Sequence, residues 1–138
     1  MCIRDSDNTS SYGNGDDARY TSGTKGYGLL RDIDTTDVGI VISGDATTQI
    51  QSDVISNVAE YRKDAIAVVS PENSSTTKGV IIGTGTNSTK ADALAAWANA
   101  LTSSSYGVAD SGYKRMYDPY NDVYRDVPLN GDIAGLMV

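Results

Sequence analysis

The sequence predicts an α/β fold, an open and mainly parallel sheet built from βαβαβ units with helices on its faces. Two short β-branched apolar runs carry the prediction, Val38-Gly39-Ile40-Val41-Ile42 and Ala65-Ile66-Ala67-Val68-Val69. Continuous rather than alternating apolar character is what a strand covered on both faces requires. Between the runs, Ile50, Val54, Ile55, Val58 and Tyr61 recur at helical spacing. A second helical stretch and a further short run, Tyr106-Gly107-Val108-Ala109, complete the alternation.

Residues 1–6 read as a non-native leader. Residues 7–37 read as a flexible Gly/Ser/Thr/Asp-rich segment, and residues 38–138 as an incomplete α/β core. Between residues 6 and 28, seventeen of twenty-three are Ser, Thr, Gly, Asn or Asp, too few apolar groups to offset the entropy of ordering them. Tyr12, Tyr20 and Tyr27 in that stretch read as isolated loop tyrosines or as weak anchors on a neighbouring surface. The first strand closes at Ser43-Gly44, where Asp45 offers a carboxylate to cap a helix that ends at the cations Arg62 and Lys63. The second strand closes at Ser70-Pro71, since proline cannot continue a central ladder. Strand, helix and strand in about thirty residues form a βαβ unit, which is right-handed almost without exception.

Residues 72–78 form a polar loop, and Val80-Ile81-Ile82 reads as a short edge or hairpin strand. Asn87 or Ser88 caps the second helix, whose apolar stripe is Ala91, Leu94, Ala95, Ala98 and Leu101. Trp97 falls off the centre of that stripe, at the core's margin or against a partner. Beyond the third strand, Tyr113, Tyr117, Tyr120 and Tyr124, with Tyr106, place five of the nine tyrosines within nineteen residues. Tyrosine suits surfaces that are buried against protein yet partly wet, so the cluster reads as an interface or as a hydroxyl-bonded mixed core. Pro128 then directs Leu129, Ile133 and Leu136 into a helix.

Composition excludes several function classes. A net charge of −7 and a pI near 4.3, with eleven scattered basic residues, argue against sequence-independent nucleic-acid binding. No apolar run approaches the ~18 residues that span a bilayer, so no membrane insertion is expected. The single cysteine, Cys2, forms no internal disulfide, which fits a reducing cytosol. Without histidine, neither a Ser-His-Asp nor a Cys-His arrangement can be built, and imidazole-based metal sites are excluded. Asp45, Asp110, Asp118, Asp122 and Asp132 read as cap and loop residues rather than a catalytic pair. The run from Gly83 to Lys90 lacks the Gly-Lys-Ser/Thr closure of a phosphate loop. No catalytic, cofactor-binding or metal-ligating residue is therefore assigned.

One stretch is far more specific than any of these patterns. It runs through Ser103-Ser104-Ser105-Tyr106-Gly107-Val108, Asp110-Ser111-Gly112-Tyr113-Lys114, Tyr117-Asp118-Pro119-Tyr120-Asn121-Asp122-Val123-Tyr124-Arg125 and Val127-Pro128-Leu129-Asn130-Gly131-Asp132-Ile133-Ala134-Gly135-Leu136. This stretch resembles the tail sheath protein of contractile-tailed bacteriophages. Weaker matches follow in the same order through Gly26-Tyr27-Gly28-Leu29-Leu30, Thr36-Asp37-Val38, Ile42-Ser43-Gly44-Asp45-Ala46, Glu60-Tyr61-Arg62-Lys63-Asp64 and Val69-Ser70-Pro71. The resemblance implies an internal fragment of a structural virion protein, made in the bacterial host cytoplasm and housed in the tail sheath. It implies a helical homopolymer of sheath subunits around a tail tube protein, bounded by baseplate and tail terminator proteins. Contraction of that array would drive the tube through the host envelope without nucleotide hydrolysis. Tyr113, Tyr117, Tyr120, Tyr124 and Arg125 are the candidate subunit-interface residues. Asp126 departs from the bulky aromatic usual at its position in the family. The family also continues past the equivalent of Val138, which implies a truncated C-terminus.

A different reading is a small ligand-binding or enzymatic α/β domain. Its site would lie at the carboxyl ends of the strands, near Ser43-Gly44-Asp45, Ser70-Pro71-Glu72 and Asp110-Ser111-Gly112.

Overall fold

A computed structural model describes residues 26–138. The expectations for the leader, Cys2, Tyr12 and Tyr20 lie outside the described residues. Three parallel strands, β1 (Ile40–Ile42), β2 (Ile66–Val69) and β3 (Gly107–Ala109), form a sheet in the order β1-β2-β3. The register pairs Val41 with Ala67 and Val68 with Val108. The α/β expectation holds, with β2 central and buried on both faces. Ala67 and Val69 join Val41 in the main core, whereas Val68 points to the opposite face by strand alternation.

The first helix covers the main core face. Thr48–Asp53, the π-helical Val54–Ala59 and Glu60–Arg62 run on as one helix, α1. Its buried positions form columns at steps of four, Ile50/Val54/Val58/Arg62 and Gln51/Ile55/Ala59. In a pure α-helix each step of four drifts about 40° around the axis, which would have carried residue 62 away from the core. The wider π turn absorbs that drift. This is why Tyr61, expected in the apolar stripe, stands 61% exposed and Arg62 is buried instead. Arg62 donates to the carbonyls of Leu30 (2.6 Å) and Thr36 (2.8 Å) and to the Asp64 carboxylate (2.8 Å). Lys63, at φ +63°, then ends the helix in the left-handed conformation. The bonds from Arg62 hold residues 30–36 against the core, and Gly26–Arg31 form a 3-10 helix whose Tyr27 and Leu30 pack on it.

Two further expectations are corrected. Val80-Ile81-Ile82 is not strand: Lys78–Ile81 form a short helix, α2. The long helix α3, Asn87–Ala100, is capped by Thr86, whose hydroxyl accepts from the Thr89 N–H, rather than by Asn87 or Ser88. Its inward face is centred on Trp97, flanked by Leu94 and Leu101, and leaves Ala91, Ala95 and Ala98 exposed. Trp97 wins this face because its ring fills the gap above α1 and its Nε1–H finds a buried acceptor, Gln51 Oε1, at 3.1 Å. The partner-contact reading of Trp97 therefore fails.

Beyond β3 the chain forms an antiparallel hairpin of β4 (Tyr113–Asp118) and β5 (Val123–Pro128). It ends in α4 (Asn130–Met137), which packs against β1 and β2. The helix expected after Pro128 is present, but Asn130 and Ala134 face inward and Leu136 is 84% exposed.

Candidate functional site

Two places collect the polar and aromatic residues singled out by the sequence. The first is the carboxyl end of the parallel sheet, where turns of the three strands converge. Gly44, at φ +64°, turns the chain after β1 and presents its carbonyl to Asn130 Nδ2 at 2.6 Å. The Ser70 hydroxyl donates to the Asp110 carboxylate and accepts the Asn130 backbone N–H at 3.0 Å. Gln51 Nε2 donates to the carbonyls of Ser70 (2.7 Å) and Ala46 (2.8 Å). A continuous bonded chain thus runs from Trp97 through Gln51 and Ser70 to Asn130.

Glu72 closes the same region from the side. Its Oε2 accepts from the backbone N–H and the hydroxyl of Thr48, at 2.9 and 2.7 Å, and so caps α1 in the role expected of Asp45. Burial alone would push the Glu72 pKa up, but these bonds, with others from Ser74 and Thr77, outweigh it and hold the group below its ordinary value. Asp45 instead pairs with Lys78 at 3.5 Å. Burial raises the pKa of Asp110 despite the opposing bond from Ser70.

Room for a ligand at these strand ends is taken by the protein itself. Tyr113 crosses the region and donates its hydroxyl to the Pro71 carbonyl, with Lys78 Nζ 4.7 Å from its ring centroid. Burial, together with the charges of Asp45, Asp110 and Glu72, raises its pKa far above the usual phenol range. The cleft of about 360 Å³ lies elsewhere, between the end of α3 and the edge strand β3. Ile55, Val69, Leu101 and Gly107 contribute to its lining, which contains no titratable side chain. Among the described residues, no cluster of acidic, cysteine or histidine side chains could hold a metal ion.

The second place is the hairpin. Its root is half-buried and its far half exposed: Tyr117, Tyr120, Tyr124 and Arg125 face solvent, with Tyr120 96% exposed at the tip. Tyr117 and Tyr124 lie directly across the ladder with ring centroids 5.3 Å apart, and the Arg115 guanidinium stands 5.2 Å from the Tyr124 centroid. Asp118 organises the turn. It accepts from Asn121 Nδ2 (2.7 Å), Arg125 Nε (3.0 Å) and the Tyr120 N–H (3.1 Å). The Asn121 and Arg125 bonds lower its pKa to about 2. The Tyr117 hydroxyl donates to Asp122, which sits at φ +51°. These bonds lie within the hairpin, so they order the turn and the Tyr117–Tyr124 pair while the Tyr120 ring stays exposed to solvent.

The five candidate interface residues therefore divide. Tyr117, Tyr120, Tyr124 and Arg125 share the exposed hairpin, whereas Tyr113 is anchored inward at its root. Tyr106, from the same cluster, packs on the core. Asp126, the departure from the aromatic usual in the family the stretch resembles, lies directly opposite Arg115, a charge complement. The sequence reading placed Glu72 in a strand-end turn without its capping role, and gave Asn130 and Gln51 no role at all. Of these, only Gln51 carried a signal, an uncharged polar residue on the inward side of an apolar helix.

No family model matches the chain. Two curated relatives do. The tail sheath protein of Vibrio phage KVP40 is 34% identical over 142 aligned positions, covering 91% of this chain and 21% of the relative. The tail sheath protein of Enterobacteria phage T4 is 31% identical over 147 positions, covering 93% of this chain and 21% of the relative. The chain is thus homologous to phage tail sheath proteins over nearly all of its own length, and spans about a fifth of theirs.

Proposed function

We propose, from this homology to tail sheath proteins, that the chain is a segment of a contractile tail sheath subunit, a structural part of a virion and not an enzyme. The two alignments to tail sheath proteins, over 91% and 93% of this chain, carry the reading. In this role the subunit polymerises with its own kind around a tail tube, between a baseplate and a tail terminator. Contraction of the array drives the tube through the host envelope. The work comes from repacked contacts between subunits. Subunits are made in the host cytoplasm and end in the tail. Residues 38–138 are the α/β core, to which residues 26–37 are joined through Arg62.

The hairpin supplies the subunit contact. An open helical polymer needs heterologous interfaces, in which different patches of one subunit meet. A projecting element with prearranged tyrosines and an arginine suits one half of such a contact, because these side chains supply the largest share of interface energy. Expression of a full-length gene containing this segment, followed by negative-stain electron microscopy, tests the reading. Hollow striated cylinders are expected, and a subunit that stays monomeric under polymerising conditions would count against it.

A further inference from the structure

The last helix is held to the sheet by a residue pair with chemistry of its own. Asn130 is 2% exposed; its side-chain amide donates to the Gly44 carbonyl and its backbone N–H to Ser70 Oγ. The next residue is Gly131, which is exposed; a Cβ there would meet nothing within 4 Å. Neither space nor a positive φ demands a glycine at this position. Its consequence is chemical. With no side chain to hinder it, the Gly131 backbone nitrogen is free to attack the Asn130 side-chain carbonyl carbon whenever that group is released.

We infer that Asn130-Gly131 is a latent deamidation site, closed while α4 is docked on the sheet and opened when it undocks. In the reaction the bond from Gly131 N to Asn130 Cγ forms and the bond from Cγ to Nδ2 breaks. The Gly131 amide proton leaves with the nitrogen as ammonia, and a five-membered succinimide remains. Water then opens the ring at one of its two carbonyls, giving aspartate or isoaspartate. No electrons are transferred, and water is the sole co-reactant.

The structure explains both the protection and its one-way character. Docking fixes the side-chain amide on Gly44 and commits the adjacent backbone to the start of a helix, where the Asp132 and Ile133 N–H groups bond the Leu129 carbonyl at 2.9 and 3.0 Å. Undocking is within reach because α4 buries just Asn130 and Ala134 against the sheet, little apolar area to hold it down. After conversion, an aspartate would set a carboxylate oxygen against the Gly44 carbonyl, where 2.6 Å now separates donor from acceptor. The acidic Asp110 stands behind Ser70, so the new charge has no donor to replace the lost one. Isoaspartate would also lengthen the backbone at the first turn of the helix. In either case α4 cannot return to its seat.

Peptide mapping of the 138-residue chain tests this directly. Trypsin cleaves after Arg125, and the resulting peptide 126–138 contains Asn130 as its single asparagine. The native chain and the chain unfolded in urea are incubated in the same mildly alkaline buffer, and the deamidated fraction of that peptide is followed by mass spectrometry. Conversion in the native chain is expected to be at least about tenfold slower, the factor set by an undocked population below about one in ten. Equal rates in the two states would overturn the proposal. Gly131→Ala should leave the fold intact and slow conversion in urea; unchanged conversion in that variant would place the chemistry elsewhere and overturn it as well. Asn130→Asp, which carries the product side chain, should lose amide exchange protection across α4, and wild-type protection there would contradict the one-way step.

Discussion

The carboxyl end of the sheet and the β4–β5 hairpin use the same residue types to opposite ends. At the sheet, Tyr113 and Asp110 are drawn inward, and burial raises the pKa of both. In the hairpin, Tyr120 stands exposed and Asp118 is held far down, to about 2, by Asn121 and Arg125. One set joins elements distant in sequence: Ser70 to Asp110, Pro71 to Tyr113, Gly44 to Asn130. The other joins residues within seven positions of each other. Long-range bonds fix the fold, whereas short-range bonds stiffen a local element and leave its outer surface unspent. The proposed sheath role therefore assigns the subunit contact to the hairpin.

Substitutions at the two regions should separate accordingly. The largest effect is expected from Trp97→Ala, which empties the centre of the α3 face and strips Gln51 of its donor; about 3–5 kcal/mol of stability should be lost on urea unfolding. Asn130→Ala should cost about 1–3 kcal/mol by the same measurement, because the Gly44 carbonyl is left unpaired. Glu72→Gln should cost about 0.5–2 kcal/mol through the weakened cap on α1. Because the Glu72 pKa is lowered in the folded state, its contribution is present above the ordinary glutamate range and fades as pH falls through the lowered value. The glutamine variant should therefore show a flatter stability profile in acid. In the hairpin, Tyr120→Ser should change monomer stability by less than about 0.5 kcal/mol. The smallest effect is the acid response of the turn. With its pKa lowered to about 2, Asp118 holds its charge until the pH falls through that value, so the Tyr120 amide should lose protection there while the β2 amides do not.

The layered fold was legible because β-branched runs and helical periodicity are local signals. Both β1 and β2 fall inside the runs at Val38 and Ala65, and β3 inside the run at Tyr106. What the sequence hid was phase. The π turn in α1 exchanges Tyr61 for Arg62 on the buried face, and Trp97 recentres α3, because tertiary packing decides between neighbouring faces that periodicity scores alike. The short Val80-Ile81-Ile82 run was ambiguous between strand and helix for want of length. The tyrosine cluster was visible as a cluster, but its division between root and tip depends on the pairing of β4 with β5, a contact no local pattern records. Glu72 acts on Thr48 and Asn130 on Gly44 across 24 and 86 positions, which puts both beyond sequence reading.

The division between a locked sheet end and a free hairpin can be tested in one variant. A full-length subunit carrying Tyr120→Ser and Tyr124→Ser would be compared with the unmodified subunit by negative-stain electron microscopy, with its unfolding followed in parallel. The account predicts a monomer that unfolds as the unmodified protein does and forms few or no striated cylinders. Cylinders of normal length and number from the double variant would contradict it.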